Sequence, residues 1–140
     1  MPAPNEPATE QEALVVQFFA DMGSTYAEMV PAFRRHLADD CVWDNQGLPE
    51  VRGTEQILGF LQQLRDQTGL ESVGGEVLRI ASRGGTVLTQ RHEHWTGRDG
   101  AVLVESLPVM GTFEVADGRI TSWRDYYDSA LLAHLMAGDA

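Results

Sequence analysis

The chain has 140 residues, 43% of them hydrophobic, and a formal net charge of −11, which together predict one folded domain around a single core. Its ten Lys and Arg residues form no basic cluster, so nucleic acid is excluded as a partner and a neutral small molecule is expected. No apolar run approaches the roughly 18 residues needed to cross a membrane.

The first eight residues, MPAPNEPA, contain three prolines and neither a positively charged nor an apolar segment. They predict a flexible N-terminal arm (residues 1–8) without a secretory signal, and hence a soluble, cytoplasmic protein whose single domain spans residues 1–140. Cys41 is the only cysteine, which excludes an internal disulfide and predicts a buried thiol.

Two amphipathic helices are predicted near the N-terminus. Thr9 precedes Glu12 by three residues, as Thr25 precedes Glu28, and this capping-box spacing marks the start of a helix. Apolar residues recur at helical intervals after each box. Pro31 lies within the second pattern, so we expect that helix to kink or restart there.

A short strand and a third helix are predicted next. The segment CVWDNQGLPEVRG begins as a strand and continues as a loop rich in turn-forming residues. Apolar residues with helical spacing then predict a helix that starts near Gly53 or Thr54 and ends before Gly69.

The remainder of the chain is predicted to form β-strands and a closing helix. Glycine-containing turns separate four strand-like segments, at 72–84, 86–97, 101–115 and 118–128, and a short helix follows at 129–138. Pro108 and Gly111 predict a bulge or bend in the third segment. Helices followed by consecutive antiparallel strands indicate an α+β fold, with the helices packed on one face of a curved sheet.

Side chains alternate between the two faces of a strand, which predicts an unusual mixture of residues on one face. One face of the second segment carries Val87, Thr89, Arg91, Glu93 and Trp95, and the other carries Leu88, Gln90, His92 and His94. In the last segment, Thr121, Trp123, Asp125 and Tyr127 share a face. Charged residues therefore stand beside large aromatic residues, as expected if these faces line a pocket.

Arg91, Glu93 and Asp125 are predicted to meet in that pocket as a carboxyl–guanidinium–carboxyl cluster. One guanidinium compensates one negative charge, so one carboxyl can remain protonated as an acid while the other acts as a base. Two alternatives remain open: Arg91 forms a purely structural buried ion pair, or the faces are reversed and all three residues are solvated.

No metal or nucleotide cofactor is predicted. His92 and His94 supply two potential ligands on one strand, but His36 and His134 belong to predicted helices without a supporting motif. The sequence also lacks a P-loop, a G-x-G-x-x-G loop and the nucleophile motifs of hydrolases.

The chain resembles the limonene-1,2-epoxide hydrolase family from about residue 10 to 135. The segment VWDNQGLP resembles the Tyr-x-Asn strand end of the family, and LTQRHEHW resembles its LTERxD strand. GTFEVADGRITSWRDYYD resembles the family ending GVFEVxDGRIxxWRDYFD and is the most specific of the three. The resemblance implies a cone-shaped fold of the NTF2-like and SnoaL-like type, in which helices and a strongly curved, mainly antiparallel mixed sheet enclose a pocket.

The resemblance also implies a catalytic mechanism and its residues. Family members hydrolyse epoxides in one step without a covalent intermediate or a cofactor. Asp125 matches the base that activates water, Asn45 the amide that helps to hold the water, and Arg91 the arginine between the two acids. Glu93 stands where the family has its proton-donating aspartate. The pocket is expected to be lined by Trp43, Trp95, Trp123, Tyr127, Leu107 and Phe113.

Two of these positions depart from the family. Glu93 is one methylene longer than aspartate, which moves the carboxyl by about 1.5 Å. Trp43 replaces the tyrosine that binds water, and an indole can donate a hydrogen bond but cannot accept one. Asp44 and Tyr127 are the candidates to replace that tyrosine.

Other functions are compatible with the same pattern. An epoxide-opening cyclase would use a hydroxyl of the substrate in place of water, and an isomerase would use one carboxylate to move a proton. A non-catalytic binding protein is the third alternative, since one fold hosts several functions, and it would have exposed or separated charges. The resemblance further implies a homodimer formed sheet against sheet, with the face carrying His92 and His94 as a candidate contact surface.

Overall fold

The computed structural model describes residues 2–137, which form four α-helices on one six-stranded sheet. The helices are α1 (Glu10–Asp21), α2 (Tyr26–His36), α3 (Thr54–Thr68) and α4 (Ser129–Met136). The strands are β1 (Leu37–Asn45), β2 (Val51–Arg52), β3 (Leu70–Arg83), β4 (Thr86–Gly97), β5 (Val102–Ala116) and β6 (Arg119–Tyr126). The final residue of the predicted closing helix lies outside the described range, as do residues 1, 139 and 140 of the predicted domain.

The first two helices begin at the predicted caps. The Thr9 hydroxyl accepts a hydrogen bond from Glu12 N at 3.1 Å, and the Thr25 hydroxyl accepts one from Glu28 N at 3.3 Å. These bonds satisfy backbone donors that the first helical turn leaves free. The expected restart at Pro31 is wrong, because α2 continues through it as one helix. Burial of one side of α2 offsets the hydrogen bond that proline cannot donate.

The strand order in the sheet is β2-β1-β6-β5-β4-β3. Neighbouring strands are antiparallel except for β1 and β6, which run parallel and place Asn45 opposite Asp125. The predicted α+β fold with a mixed sheet is confirmed, although β1 starts at Leu37, four residues before the predicted strand. This parallel pair brings the end of β1 to the end of β6, where the candidate site lies.

The bulges of β5 lie closer to its start than predicted. Pro108 pairs regularly with His92 and Gly111 with Thr89, so the expected bulge at these two residues is wrong. The register instead shifts where Glu105 and Ser106 together oppose the single residue His94, and again just before Val104. An extra residue bends the bulged strand and increases its twist. The Pro108 side chain is exposed on the outer face of the sheet.

All four helices contribute buried side chains to one face of the sheet, which we call the inner face. Trp123 lies at the centre of the core and stacks on Trp43, with ring centroids 4.5 Å apart and an interplanar angle of 17°. Phe18, Phe19 and Phe33 meet the Trp123 ring at larger angles. Edge-to-face and offset-stacked contacts of this kind add to the stabilisation from burial.

The segment before α1 and the first turn of α1 contact the edge strand β3. Ile80 N donates a hydrogen bond to Pro4 O at 3.0 Å, and Ser82 Oγ donates one to Glu12 Oε2 at 2.5 Å. The flexibility of the N-terminal arm stays a prediction. Among the described residues, no helix combines the length and apolarity that crossing a bilayer requires.

Candidate functional site

Strand β4 directs its charged residues inward, as the alternation predicted. Arg91 and Glu93 are buried on the inner face, whereas His92 and His94 are exposed on the opposite, outer face. Asp125 of β6 is also buried on the inner face, with 4% of its surface exposed. The alternative in which these three ionisable residues are solvated is therefore wrong.

A single nitrogen of Arg91 binds both carboxyls. Arg91 Nη2 donates to Glu93 Oε2 at 2.9 Å and to Asp125 Oδ2 at 2.8 Å. The second terminal nitrogen, Nη1, donates to Thr89 Oγ1 at 2.9 Å. The guanidinium is fully buried, and its central carbon lies 4.5 Å from the centre of the Phe19 ring, a distance suited to a cation–π contact.

Gly111 makes this arrangement possible. It lies on β5 between Thr89 of β4 and Asp125 of β6, so the Arg91 side chain must pass over it to reach Asp125. A Cβ atom at position 111 would overlap both Arg91 Nη1 and Asp125 Oδ1. The sequence reasoning missed this role and read Gly111 as a bend. Its inward position on a strand between two charged strands is the signal that could have revealed it.

Burial raises the pKa of Asp125 above the ordinary value for aspartate. The Arg91 guanidinium opposes this rise, and the neighbouring Glu93 carboxyl adds to it. The indole of Trp123 also lowers the pKa of Asp125 weakly, although Trp123 Nε1 has no hydrogen bond of ordinary geometry within residues 2–137. A carboxyl with a raised pKa is a stronger base than free aspartate once it is ionised.

The two carboxyls differ in their remaining partners. Glu93 Oε1 accepts a second hydrogen bond, from Trp95 Nε1 at 3.0 Å. Asp125 Oδ1, in contrast, is buried without a hydrogen-bond partner in the part of the chain that the structure describes. A buried acceptor of this kind is costly unless something pairs with it, so Asp125 has a free position for a ligand or a water molecule.

An apolar cavity of about 520 Å³, measured with its mouth, adjoins these carboxyls. The centre of a water molecule can occupy about 40 Å³ of it. Its polar lining residues are Asn45, Glu93, Asp125 and Tyr127. Its apolar lining residues are Met22, Met29, Phe33, Trp43, Phe60, Leu61, Leu64, Leu70, Val73, Trp95, Trp123 and Leu132. The carboxyls therefore face a largely apolar interior.

Most of the expected lining residues line this cavity. Trp43, Trp95, Trp123 and Tyr127 do so, whereas Leu107 and Phe113 do not, so the expectation for those two is wrong. Phe113 is fully buried and packs on Trp123, with ring centroids 5.9 Å apart. Leu107 is buried beside Glu93 as its partner in the β4–β5 pair. Arg91 also lies outside the lining, within the sheet next to the acids.

The helical lining residues were missed as site residues. Residues such as Met29, Leu61 and Leu64 belong to helical apolar stripes, which the sequence predicts as core. The core and the cavity form one continuous apolar region, so no sequence signal separates the two. Leu132 of α4 completes the lining from the end of the chain.

The structure distinguishes the two candidates for replacing the tyrosine at position 43. Asp44 points away from the cavity and accepts a hydrogen bond from Arg124 Nη1 at 2.7 Å. Tyr127 lines the cavity, and burial raises the pKa of its phenol, with further increases from Asp125 and Glu93. Trp43 Nε1 is buried and has no hydrogen-bond partner among residues 2–137.

The outer face holds the remaining histidines of interest. His92 Nδ1 lies 3.1 Å from Ser106 Oγ, and His94 Nδ1 lies 2.8 Å from Glu105 O. Within the described part of the chain, no group of three or more His, Cys, Asp or Glu side chains is positioned to hold a metal ion.

Residues 10–137 match the family model described as the limonene-1,2-epoxide hydrolase catalytic domain. The sequence is also 36% identical over 96 residues to a protein named epoxide hydrolase EphG from Mycobacterium tuberculosis. That match covers 66% of this chain and 58% of the length of the relative.

Solved structures with the same fold include proteins whose names describe different activities. An M. tuberculosis epoxide hydrolase described as similar to limonene-1,2-epoxide hydrolase has a TM-score of 0.69 and 28% identity, covering 95% of this chain and 94% of its own. A protein from Jannaschia sp. CCS1 described as a SnoaL-like polyketide cyclase has a TM-score of 0.73 and 17% identity, covering 98% and 96% of the two chains. At that identity, the likeness to the cyclase concerns the fold alone.

Proposed function

The chain belongs to the limonene-1,2-epoxide hydrolase family, and we propose that it is an epoxide hydrolase that adds water to a neutral, apolar epoxide to give a vicinal diol. The observation that carries this proposal is the buried Arg91 bound to both Glu93 and Asp125 at the polar end of an apolar cavity. The guanidinium compensates one negative charge, so one of the two carboxyls stays ionised and the other holds a proton. The site therefore contains both a base and an acid.

Asp125 acts as the base in the proposed reaction. Its free Oδ1 accepts a proton from a water molecule that Asn45 helps to hold, while the water oxygen attacks one carbon of the epoxide ring. The new C–O bond forms as the ring C–O bond breaks. Protonated Glu93 gives its proton to the ring oxygen, so the two hydroxyls of the diol arise in the same step.

The cycle closes when the proton on Asp125 returns to Glu93. The two carboxyls share Arg91 Nη2, so one proton held between them keeps the cluster neutral, and its return to Glu93 restores the initial state. Ring strain of the epoxide supplies part of the driving force, and no cofactor takes part in the proposed step. The aromatic walls orient the substrate carbon opposite the water.

The cavity lining supports a neutral, apolar substrate. Apart from Glu93, Asp125 and Tyr127, none of its described lining residues is ionisable. An anionic substrate would be repelled by the carboxyls, and a strongly polar one would lose hydration without gaining hydrogen bonds. Limonene oxide itself is one member of this chemical class.

Hydrolysis in ¹⁸O-labelled water tests the proposal. Cyclic and styrene-type epoxides are supplied to the wild type and to the Asp125→Asn and Glu93→Gln variants. We expect labelled diol from the wild type and a loss of rate of about 10²–10⁴-fold in each variant. Asp117→Asn and Glu114→Gln change exposed residues of the same types and serve as matched controls with unchanged rate. A wild type that leaves every epoxide intact would contradict the proposal.

An epoxide-opening cyclase or isomerase is the second candidate. The observation in its favour is Trp43, whose indole cannot accept a hydrogen bond from water. A site that holds water less well would suit attack by a hydroxyl of the substrate. Single-turnover experiments with hydroxy-epoxides separate the two candidates, because the cyclase gives unlabelled cyclic ether and the hydrolase gives labelled diol.

A non-catalytic binding protein has less support. Binding an apolar ligand gives no reason to bury a guanidinium and two carboxyls together, since their desolvation costs several kcal/mol per ion by order of magnitude. Retention of apolar ligands without turnover of any epoxide would favour this reading.

We also propose a homodimer in which the outer face of the sheet forms the contact. Leu88 and Met110 are exposed large hydrophobic residues on this face, beside His92 and His94. Sedimentation experiments that compare the dimerisation of the wild type and of Met110→Asp measure the contribution of this face to the dimer. Cytoplasmic location and the absence of a nucleic-acid partner stay predictions.

A further inference from the structure

The polar end of the cavity contains a phenol to which the proposed reaction gives no role. Asp125, Glu93 and Asn45 supply the base, the acid and one group that holds water, whereas Tyr127 is unassigned. We infer that Tyr127 is the second group that holds the attacking water, in a role that Trp43 cannot perform. This inference rests on the proposed hydrolase function.

The backbone places Tyr127 on the same side of the sheet as Asp125, and both residues line the cavity. Asp125 and Tyr127 are two residues apart, so their side chains share the inner face at the end of β6. Asn45 is the register partner of Asp125 on β1, and Gln46 N donates a hydrogen bond to Asp125 O at 3.1 Å. Asp125, Asn45 and Tyr127 therefore line the same cavity from the adjoining ends of β6 and β1.

The backbone beyond Tyr127 is fixed as well. Asp128 caps α4, and its carboxyl accepts a hydrogen bond from Ala130 N at 3.1 Å. Tyr127 therefore lies between the last residue of β6 and a capped helix, not in a free loop. Regular secondary structure therefore flanks this lining residue closely on both sides.

A nucleophilic water needs more partners than Asp125 and Asn45 provide. Asp125 takes one hydrogen and one lone pair attacks the epoxide, which leaves a second hydrogen and a second lone pair. The Asn45 amide and the Tyr127 hydroxyl can each donate or accept, so together they satisfy both. The indole of Trp43 can only donate, and Asp44 binds Arg124 on the other side of the strand.

The charges around Tyr127 keep its hydroxyl protonated. Burial raises the pKa of the phenol, and Asp125 and Glu93 raise it further because a phenolate beside them would be repelled. Tyr127 thus retains both donor and acceptor capacity at neutral pH. The family ending quoted above has phenylalanine here, so this chain has gained a phenol at position 127 and lost one at position 43.

Replacement of Tyr127 by phenylalanine tests the inference, with Tyr126→Phe as the matched control. Tyr126 is the adjacent tyrosine, exposed on the outer face, so its variant should keep the wild-type rate. We expect Tyr127→Phe to lower kcat for labelled diol by about 10- to 30-fold, the effect of one lost hydrogen bond, with KM changed less than about threefold. A kcat within twofold of the wild type, or a change in KM alone, would overturn the inference.

A second variant separates water binding from packing. Position 43 lies two residues before Asn45 on the same face of β1, so a tyrosine there points its phenol into the cavity. We expect Trp43→Tyr combined with Tyr127→Phe to regain at least about half of the lost kcat on a logarithmic scale. A folded double variant without recovery would overturn the inference. If the wild type forms no labelled diol, the proposed function is overturned as well. If the wild type is active and Tyr127→Phe has the same kcat, only the role of Tyr127 is contradicted.

Discussion

The Arg91 guanidinium occupies the space that a side chain at position 111 would fill. Arg91 starts on β4 and Asp125 on β6, so their ion pair, 2.8 Å long, crosses the intervening strand β5 above Gly111. Gly111 has no positive φ, so space and not backbone conformation requires glycine here.

Gly111→Ala should damage both stability and activity. The added Cβ would overlap Arg91 and Asp125, and relief of such overpacking typically costs about 1–3 kcal/mol of unfolding free energy. We expect a loss of this size in urea denaturation and a large decrease in kcat. Gly59→Ala is the matched control. Gly59 is exposed within α3, and a Cβ atom added there has no neighbour within 4 Å. Alanine at this position should raise the unfolding free energy by about 0.5–1 kcal/mol. Normal stability and rate in Gly111→Ala would contradict the proposed crossing.

Asp125→Asn should inactivate the enzyme and stabilise it at neutral pH. Folding raises the pKa of Asp125 above its unfolded value of about 3.9. The contribution of Asp125 to the unfolding free energy is therefore fully present below the unfolded pKa. It is lost as the pH rises through the folded pKa. Asparagine carries no charge to bury. We expect the melting temperature of the variant to exceed that of the wild type by a few degrees at pH 7, with the difference vanishing near pH 4.

Thermal unfolding from pH 4 to 8 measures this difference. Asp117→Asn changes an exposed turn aspartate and should show no such pH dependence. A variant that is less stable than the wild type at pH 7 would mean that the Arg91 pairing outweighs the burial of the Asp125 carboxyl.

Arg91→Met should destabilise the protein most at neutral pH. The substitution leaves Glu93 and Asp125 buried without their shared guanidinium, and breaking a buried ion pair from one side costs about 3–5 kcal/mol. Acidification protonates the carboxyls and should recover much of the unfolding free energy. Adding Glu93→Gln and Asp125→Asn should recover it at neutral pH as well, because no charge then remains buried.

Chemical denaturation at pH 5 and pH 7 provides the comparison for Arg91→Met. Arg79→Met is the control, since Arg79 is exposed and bonds only to Gln90 among the described residues. An equal loss of stability at both pH values would indicate lost packing of the Arg91 side chain, and not uncompensated charge.

The Cys41 thiol should be unreactive in the folded protein. Burial, reinforced by the negative charge of Asp40, raises the pKa of Cys41 to about 12. Because the thiolate is the reactive species, we expect negligible labelling by iodoacetamide at pH 8 in native conditions and rapid labelling in denaturant. Cys41→Ser gives the background in both conditions, and rapid native labelling would show that β1 opens readily.

Local patterns predicted the elements and the inward-facing residues of the site. The two-residue period of a strand is a backbone property, so it correctly placed Arg91 and Glu93 together and Asp125 beside Trp123 on the inner face. Capping boxes likewise fixed the starts of α1 and α2, because their hydrogen bonds join residues three apart. The family motifs added the pairing of these strands into one site.

These local patterns could not predict how residues on different strands are positioned relative to one another. Three features depend on which residues face one another across the sheet. These are the position of the β5 bulges, the space above Gly111, and the burial of Leu107 and Phe113 outside the cavity. Asp44 and Tyr127 were equal candidates in the sequence, and the tertiary structure separated them by pairing Asp44 with Arg124 on the outer side. The sequence by itself determined which side chains share a face, because alternation is local; only the tertiary structure decided which of them meet, because packing between distant strands sets those distances.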